Sequence, residues 1–165
     1  MRFLAALILL AGSVLTGVLP ATEYAVASLD GTITATFGDL PYRVSYPVGF
    51  TGQTHVIHVS RGGNGLGDDR GGLPTYVESC VANGYVVVEV DHRFAGSDIE
   101  NIARRRGEEI QFISEQVAQG GLDYGGFQGT VDASSQGYMG HSGGCMEGLM
   151  AAGTAMTHGD DHETW

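Results

Sequence analysis

Apolar and polar residues alternate with the two-residue period of strands in some segments and with the 3.6-residue period of helices in others. Apolar and β-branched residues that alternate, or that run together between turn residues, predict strands at 32–37, 42–46, 54–60, 85–90 and 136–140. The segment 85–90 is almost continuously apolar, which is typical of a strand that is buried on both faces of a sheet. The polar, glycine-rich segment 125–136 is predicted to be a loop.

Helices are predicted after the last three strands, at 74–83, 99–119 and 145–156. In the longest helix, apolar residues recur at helical spacing on one face: Ile99, Ile102, Ile110, Ile113 and Val117. Its charged residues are expected mostly on the remaining, solvated face: Arg104, Arg105, Arg106, Glu108, Glu109 and Glu115. Strands that alternate with helices in this way favour a parallel sheet that is covered by helices on both faces.

The first 27 residues have the features of a secretory signal peptide. Arg2 precedes an apolar stretch over 3–19, and Ala25-Val26-Ala27 forms a small-residue cleavage site before Ser28. Glycine, serine and threonine interrupt the apolar stretch, so it is a weak candidate for a membrane span. We therefore expect a secreted or extracellular protein, periplasmic in a bacterium, whose mature part occupies residues 28–165.

The composition narrows the classes of partner. The chain has 165 residues, with 19 acidic side chains against 8 Lys and Arg, and a net charge of −11. Such an acidic protein repels phosphate backbones, which argues against nucleic-acid binding, and solubility is the simpler reason for the charge. The 27 glycines show no repeat period and cluster at predicted turns, which indicates tight connections rather than disorder.

The most informative motif is Gly140-His141-Ser142-Gly143-Gly144, which has the pattern G-x-S-x-G. This pattern is common by chance in a glycine-rich chain, but here it follows a predicted strand and precedes a predicted helix. That placement predicts a strained turn that presents Ser142 as a nucleophile, with Gly140 and Gly144 allowing strand and helix to approach closely. The alternative is a serine that caps an ordinary helix N-terminus.

A second glycine-rich segment follows the strand at 54–60. It reads Arg61-Gly62-Gly63-Asn64-Gly65. In serine hydrolases with a strand–turn–helix nucleophile, the loop after the third strand supplies a backbone N–H to the oxyanion hole. The alternative is a flexible surface loop.

Four segments together resemble a known family: 56–65 (VIHVSRGGNG), 83–92 (NGYVVVEVDH), the predicted helix at 99–117, and 138–144 (YMGHSGG). They resemble secreted α/β-hydrolases of the dienelactone hydrolase and platelet-activating-factor acetylhydrolase-like group, which are related to polyester hydrolases and cutinase-like lipases. The resemblance covers roughly 38–156 and implies the α/β-hydrolase fold, a mostly parallel sheet with helices on both faces.

The resemblance also implies a function, which is hydrolysis of a small-molecule or lipid-like carboxylic ester through an acyl-enzyme on Ser142. The backbone N–H groups of Gly63 and Gly143 would form the oxyanion hole, and Gly140 and Gly144 would support the turn. No metal or cofactor is required by this chemistry. By the same resemblance, His141 packs beside the nucleophile.

The chain departs from the family in two respects. Arg61 stands where the family usually has a histidine that orders the loop. The family also continues well beyond the helix after the nucleophile, with a triad Asp and His that follow the serine. The tail that holds Asp160 and His162 is too short for another parallel strand and crossover. We therefore expect residues 28–165 to be the N-terminal part of the domain and nearly inactive alone.

Further expectations concern side chains outside the two glycine motifs. Cys80 and Cys145 are expected on helices at opposite faces of the sheet, hence as two buried free thiols. His92 is expected to have a structural role rather than a substrate contact. A polar tail is favoured over a metal site at His158 and His162.

Two other interpretations of the function stay open. One is a non-catalytic or degenerate hydrolase-like protein, which Arg61 favours slightly and the complete set of glycines around Ser142 does not. The other is another activity on the same fold, such as a haloperoxidase-like one.

Overall fold

The computed structural model describes residues 23–63 and 72–153, apart from the side chain of Ile99. Within these ranges, five strands form one sheet in the order β1-β2-β4-β3-β5. The elements in chain order are β1 Val26–Ala35, β2 Gly38–Pro47, β3 Gln53–Ser60, α1 Pro74–Ala82, β4 Val86–Val90, α2 Ile99–Ala118, β5 Thr130–Gly140 and α3 Gly143–Ala151.

The sheet is mixed, with one strand running against the other four. β1 and β4 both pair with β2 in the antiparallel sense, whereas β3 pairs with β4 and β5 in the parallel sense. The first two strands form a hairpin that a short turn can close, while β3, β4 and β5 need helical crossovers. The predicted strands and helices are therefore present, in the predicted order.

Strand β5 is longer than the sequence pattern predicts. It begins at Thr130 rather than at 136, and its register against β3 shifts between His55 and Val56, which pair with Asp132 and Gln136. Residues 133–135 are thus extra on the β5 side, as in an enlarged β-bulge. The polar composition predicts a loop here, but the backbone of β3 supplies hydrogen-bonding partners that local sequence does not reveal.

The core lies on both faces of the sheet. On one face, Val56, Val86 and Val88 of the parallel strands pack with Ile113 and Val117 of α2. On the opposite face, Val59 of β3 and Val87 of β4 pack with Val77 and Val81 of α1. All five residues of β4 are buried, which confirms the burial predicted for 86–90. Tyr85, predicted to begin this strand, precedes β4 and is exposed.

Helix α3 lies beside α2, as the hydrogen bond of 2.8 Å from Gln111 Nε2 to the Ala151 carbonyl shows. Cys80, on α1, therefore lies across the sheet from Cys145, and both cysteines are free as predicted. Their predicted burial is wrong, since Cys80 is only half-buried and Cys145 is exposed. Helix α3 buries Gly144 and Glu147 instead, and Cys145 is turned about 100° away from Gly144 around the helix.

The N-terminal part of the described chain joins the sheet directly. The Tyr24 N–H donates to the Ala82 carbonyl at 3.1 Å, and Val26 and Ala27 are the first residues of β1. Most of the segment predicted to be a signal peptide, residues 1–22, lies outside the described residues, so cleavage before Ser28 stays a prediction. None of the described helices is long and apolar enough to cross a membrane.

Candidate active site

The two glycine motifs meet at the carboxyl ends of neighbouring parallel strands. In the β3–β5 pair, Ser60 lies opposite Gly140, so the residues that follow each strand are held side by side. The His141 N–H donates to the Ser60 carbonyl at 3.0 Å, which extends the pairing into the turn. Functional residues in open α/β sheets gather at this edge.

Ser142 lies in the turn between β5 and α3 with a backbone φ of 56° and ψ of −127°. Among the described residues it is the only non-glycine with a positive φ, a conformation that costs free energy when a Cβ is present. Its side chain is exposed and makes no capping hydrogen bond to α3. The geometry therefore matches the strained turn rather than the capping serine.

The glycines around this turn permit a close approach between backbones. A Cβ on Gly140 would lie 2.5 Å from the Gly144 carbonyl carbon, and a Cβ on Gly62 would collide with the backbone nitrogen of Gly144. Gly62 also has a φ of 73°, which side chains rarely adopt. The predicted supporting glycines, Gly140 and Gly144, are thus required by the packing of strand, loop and helix.

The two residues predicted for the oxyanion hole lie on adjacent backbone segments. A Cβ on Gly143 would lie 3.4 Å from the Gly63 nitrogen and 3.7 Å from the Gly62 Cα. Gly63 has a φ of 111°, so its conformation depends on the absence of a side chain. The structure therefore brings Ser142, Gly143 and Gly63 together. Asn64 and Gly65, from the same loop, lie outside the described residues.

Four charged side chains are buried directly beneath this edge, and we call them the buried quartet: His92, Arg106, Glu109 and Glu147. Their exposed fractions are 3%, 0%, 0% and 1%, respectively. His92 Nδ1 lies 2.7 Å from Glu109 Oε2, and His92 Nε2 lies 3.2 Å from Glu147 Oε2. Arg106 Nη1 lies 3.1 Å from Glu147 Oε1. The two positive and two negative groups compensate one another, which buried charges require.

The quartet is also hydrogen-bonded to the backbone around it. Arg106 donates from Nη1 to the Gly63 carbonyl and from Nε to the Phe94 carbonyl, both at 2.8 Å. Glu109 Oε1 accepts from the Arg93 N–H at 2.9 Å. Through these contacts, helix α2 is attached to the loops that follow β3 and β4.

The quartet changes the protonation of its members. Burial by itself lowers the pKa of His92, but hydrogen bonds and ion pairs with Glu109 and Glu147 outweigh it and raise the pKa to about 9. Burial raises the pKa of Glu147, but its contacts with His92, Ser60 and Arg106 leave that pKa below its ordinary value. At neutral pH the ring of His92 is therefore a charged imidazolium that donates from both nitrogens.

The prediction that the charged residues of α2 form a solvated face is wrong for Arg106 and Glu109. Arg104 follows the prediction and pairs with Glu108 at 2.6 Å on the surface. The signal that was missed is helical spacing, since 102, 106, 109, 113 and 117 form one stripe along α2. The apolar residues of that stripe predict its burial, and helical spacing places Arg106 and Glu109 on the same stripe.

The described part of the chain includes the histidines at positions 58, 92 and 141, but not the polar tail. His92 has both ring nitrogens engaged by carboxylates, in keeping with a structural role. His58 is buried, its Nε2 donates to Gln136 Oε1 at 2.7 Å, and burial lowers its pKa. His141 is exposed, so its expected packing role is not seen. The tail residues His158, Asp160 and His162 lie outside the described residues, as does the loop 64–71.

Comparison with known proteins places this geometry in a fold. No protein-family model and no curated protein match the chain. Among solved structures, brefeldin A esterase, described as a bacterial homologue of human hormone-sensitive lipase, matches 81% of the chain at 22% identity and a TM-score of 0.54. An esterase of Pyrobaculum calidifontis matches 80% at 25% identity and a TM-score of 0.52. A cold-adapted esterase from an Arctic intertidal metagenomic library matches 76% at 14% identity and a TM-score of 0.51.

The chain spans 36%, 41% and 54% of the lengths of these three structures, in the order brefeldin A esterase, Pyrobaculum esterase and Arctic esterase. The fold implied by the sequence resemblance is therefore confirmed: the chain has the α/β-hydrolase fold, and its structural neighbours are esterases.

Proposed function

We propose that the chain is the N-terminal part of a secreted serine esterase, of the dienelactone hydrolase and platelet-activating-factor acetylhydrolase-like group, with Ser142 as its nucleophile. The observation that carries the proposal is the positive φ of Ser142 at a turn packed against the Gly62–Gly63 backbone. Strain of this kind is costly and is typical of functional sites. The esterase neighbours support an ester as the substrate class, either a small molecule or a lipid-like ester.

In the proposed reaction, Ser142 Oγ attacks the carbonyl carbon of the ester and its proton passes to a general base. The tetrahedral intermediate collapses to an acyl-enzyme as the base returns that proton to the leaving oxygen, which departs as the alcohol. Water, deprotonated by the same base, then attacks the acyl-enzyme, and the base returns the proton to Ser142 Oγ as the carboxylic acid leaves. The N–H groups of Gly63 and Gly143 donate to the oxyanion, whose charge develops only in the transition state. No step requires a metal or cofactor.

The general base and its acid partner are proposed to come from outside the described residues. His92 cannot serve, because Glu109 and Glu147 engage both its ring nitrogens in a buried site. The described part of the chain is therefore expected to position a nucleophile without activating it. The 165-residue chain alone is proposed to be nearly inactive on esters.

The test uses the product of the complete source reading frame, assayed with p-nitrophenyl acetate and butyrate. We expect hydrolysis that falls by about 10⁴- to 10⁶-fold in Ser142→Ala. A fluorophosphonate probe is expected to label Ser142 in the unsubstituted protein, as located by mass spectrometry. Ser135→Ala, an exposed serine on β5, is the matched control and should keep full activity.

Ester hydrolysis that survives Ser142→Ala would show that another group is the nucleophile. A correctly folded full-frame product that neither hydrolyses these esters nor takes the probe would favour the non-catalytic interpretation. Secretion is tested separately, by N-terminal sequencing of the protein recovered outside the cell, which should begin at Ser28.

A further inference from the structure

We propose that Arg106 and Glu147 are positioning residues for the oxyanion hole, which hold the Gly62–Gly63 backbone in place against the helix that follows Ser142. This inference rests on the proposed serine-esterase function for its catalytic consequence. The structural part, that these two side chains hold the loop, stands on the contacts of the buried quartet and can be tested without activity.

The peptide groups on either side of the Gly63 N–H are both held by side chains. The Gly62 N–H donates to Ser60 Oγ at 3.3 Å, and the Gly63 carbonyl accepts from Arg106 Nη1 at 2.8 Å. The planar peptide that carries the Gly63 N–H therefore lies between two peptides that are held by side chains. Two consecutive glycines have wide conformational freedom, so such restraint decides where that N–H points.

The two side chains that restrain these peptides, Arg106 and Ser60, both donate hydrogen bonds to Glu147. Its Oε1 accepts from Arg106 Nη1 at 3.1 Å, and its Oε2 accepts from the Ser60 hydroxyl at 2.5 Å. One carboxylate thus connects to both ends of the Gly62–Gly63 segment, through Arg106 on one side and Ser60 on the other. Charge-assisted hydrogen bonds of this length are stronger than neutral ones.

Glu147 belongs to the helix that follows the proposed nucleophile. It lies on α3, the helix whose first residue is Gly143, the proposed source of the second oxyanion N–H. The hydrogen bonds of Glu147 therefore relate the loop after β3 to the same rigid helix that carries Gly143. Oxyanion stabilisation depends on both donors being preorganised at the correct separation, so loss of this relation should affect the transition state more than the substrate complex.

Stability alone does not account for this arrangement. Buried ion pairs are often no more stabilising than well-packed apolar side chains of similar volume. An apolar pair in their place would fill the space but would donate no hydrogen bond to the Gly63 carbonyl.

The key variant combines Arg106→Met with Glu147→Gln. It removes one positive and one negative group, leaves His92 paired with Glu109, and keeps an acceptor for Ser60. The matched control is Arg104→Met with Glu108→Gln, which removes the exposed ion pair on the same helix. All proteins are made from the complete reading frame, and their folding is checked by circular dichroism.

We expect the key variant to remain folded with kcat lowered by about 10²- to 10³-fold and KM changed by less than about threefold. Backbone amide exchange over 61–63, followed by mass spectrometry or NMR, should accelerate by at least about tenfold in the key variant. The control variant should match the unsubstituted protein in both measurements. A variant that only lost stability would accelerate exchange throughout the core as well.

Unchanged exchange over 61–63 in a folded key variant would overturn the inference, whatever the activity. Accelerated exchange with unchanged kcat would overturn the catalytic part. If the unsubstituted protein has no esterase activity, the proposed function fails. The exchange measurement still decides whether Arg106 and Glu147 hold the Gly62–Gly63 backbone. If the key variant does not fold, Arg106→Lys replaces it, because lysine keeps the charge and loses the planar fork that reaches Gly63 and Phe94 together.

Discussion

The imidazole of His92 is held against the carboxylate of Glu109, with 2.7 Å between Nδ1 and Oε2 and both side chains almost completely buried. Its other ring nitrogen lies 3.2 Å from Glu147, which Arg106 also contacts. A histidine between two buried carboxylates is stabilised as the imidazolium, so the buried quartet is electrically balanced only while this ring is protonated.

The stability of the protein is expected to fall as pH rises through this titration. The folded pKa of His92, about 9, exceeds its ordinary value of 6.5, so the stabilisation is fully present below 6.5 and is lost on passing 9. The difference between the two pKa values corresponds to about 3–4 kcal/mol of unfolding free energy, at about 1.4 kcal/mol per pKa unit. The measurement is the unfolding free energy from urea titrations at pH 6, 7.5 and 9.

The control for this prediction is His92→Gln, which should flatten the dependence of the unfolding free energy on pH between 6.5 and 9. The other buried histidine, His58, does not interfere, because burial lowers its pKa and it titrates below this range. An equal slope in the variant and the unsubstituted protein would show that other groups cause the pH dependence.

Gly144→Ala is expected to destabilise the protein by about 2–3 kcal/mol, because a Cβ there would collide with the carbonyl oxygen of Ser60. That atom belongs to the backbone of a central strand and cannot move aside. The neighbouring substitution Gly143→Ala is the comparison, since its Cβ would approach no atom closer than 3.4 Å. Its unfolding free energy should change by less than about 1 kcal/mol. Similar costs at the two positions would contradict the packing described here.

Ser142→Gly is expected to be more stable than Ser142→Ala by about 1–2 kcal/mol, because glycine removes the cost of a positive φ and alanine keeps it. Both variants lose the hydroxyl, so the comparison isolates backbone strain from any role of the side chain. Thermal or urea unfolding of the two proteins gives the difference. Equal stability would mean that the turn is not strained.

Asp98 begins the long helix α2 by accepting a hydrogen bond of 3.1 Å from the Asn101 N–H. Asp98→Ala should therefore lower the unfolding free energy by about 1 kcal/mol. Asp98→Asn keeps an oxygen that can accept the same hydrogen bond and should cost less than half as much. The measurement is urea unfolding at constant pH, and a larger loss for asparagine would show that the negative charge rather than the cap stabilises this end.

Local pattern was sufficient to predict where most elements lie. The apolar run at Val86–Val90 and the helical stripe of Ile99–Ala118 each carry their own signal, because burial on two faces or on one stripe leaves a periodic trace in the sequence. The positions of Ser142 and the glycine loop after β3 were also evident, since a strained turn and close backbone contacts require particular residue types. The first part of β5, from Thr130, has no alternation of apolar residues that would predict a strand, because its pairing depends on the backbone of β3.

The order of the elements, the strained serine and the small residues around it are therefore predictable from the chain, because they follow from local backbone and side-chain chemistry. The three-dimensional packing was needed to show that one buried site holds Arg106, Glu109, Glu147 and His92. A charged residue on a helix ordinarily faces water, and it becomes tolerable in a core only when opposite charges arrive from other elements. The compensating charges lie as many as 55 positions apart in the chain, as His92 and Glu147 do. No local sequence pattern predicts that they meet.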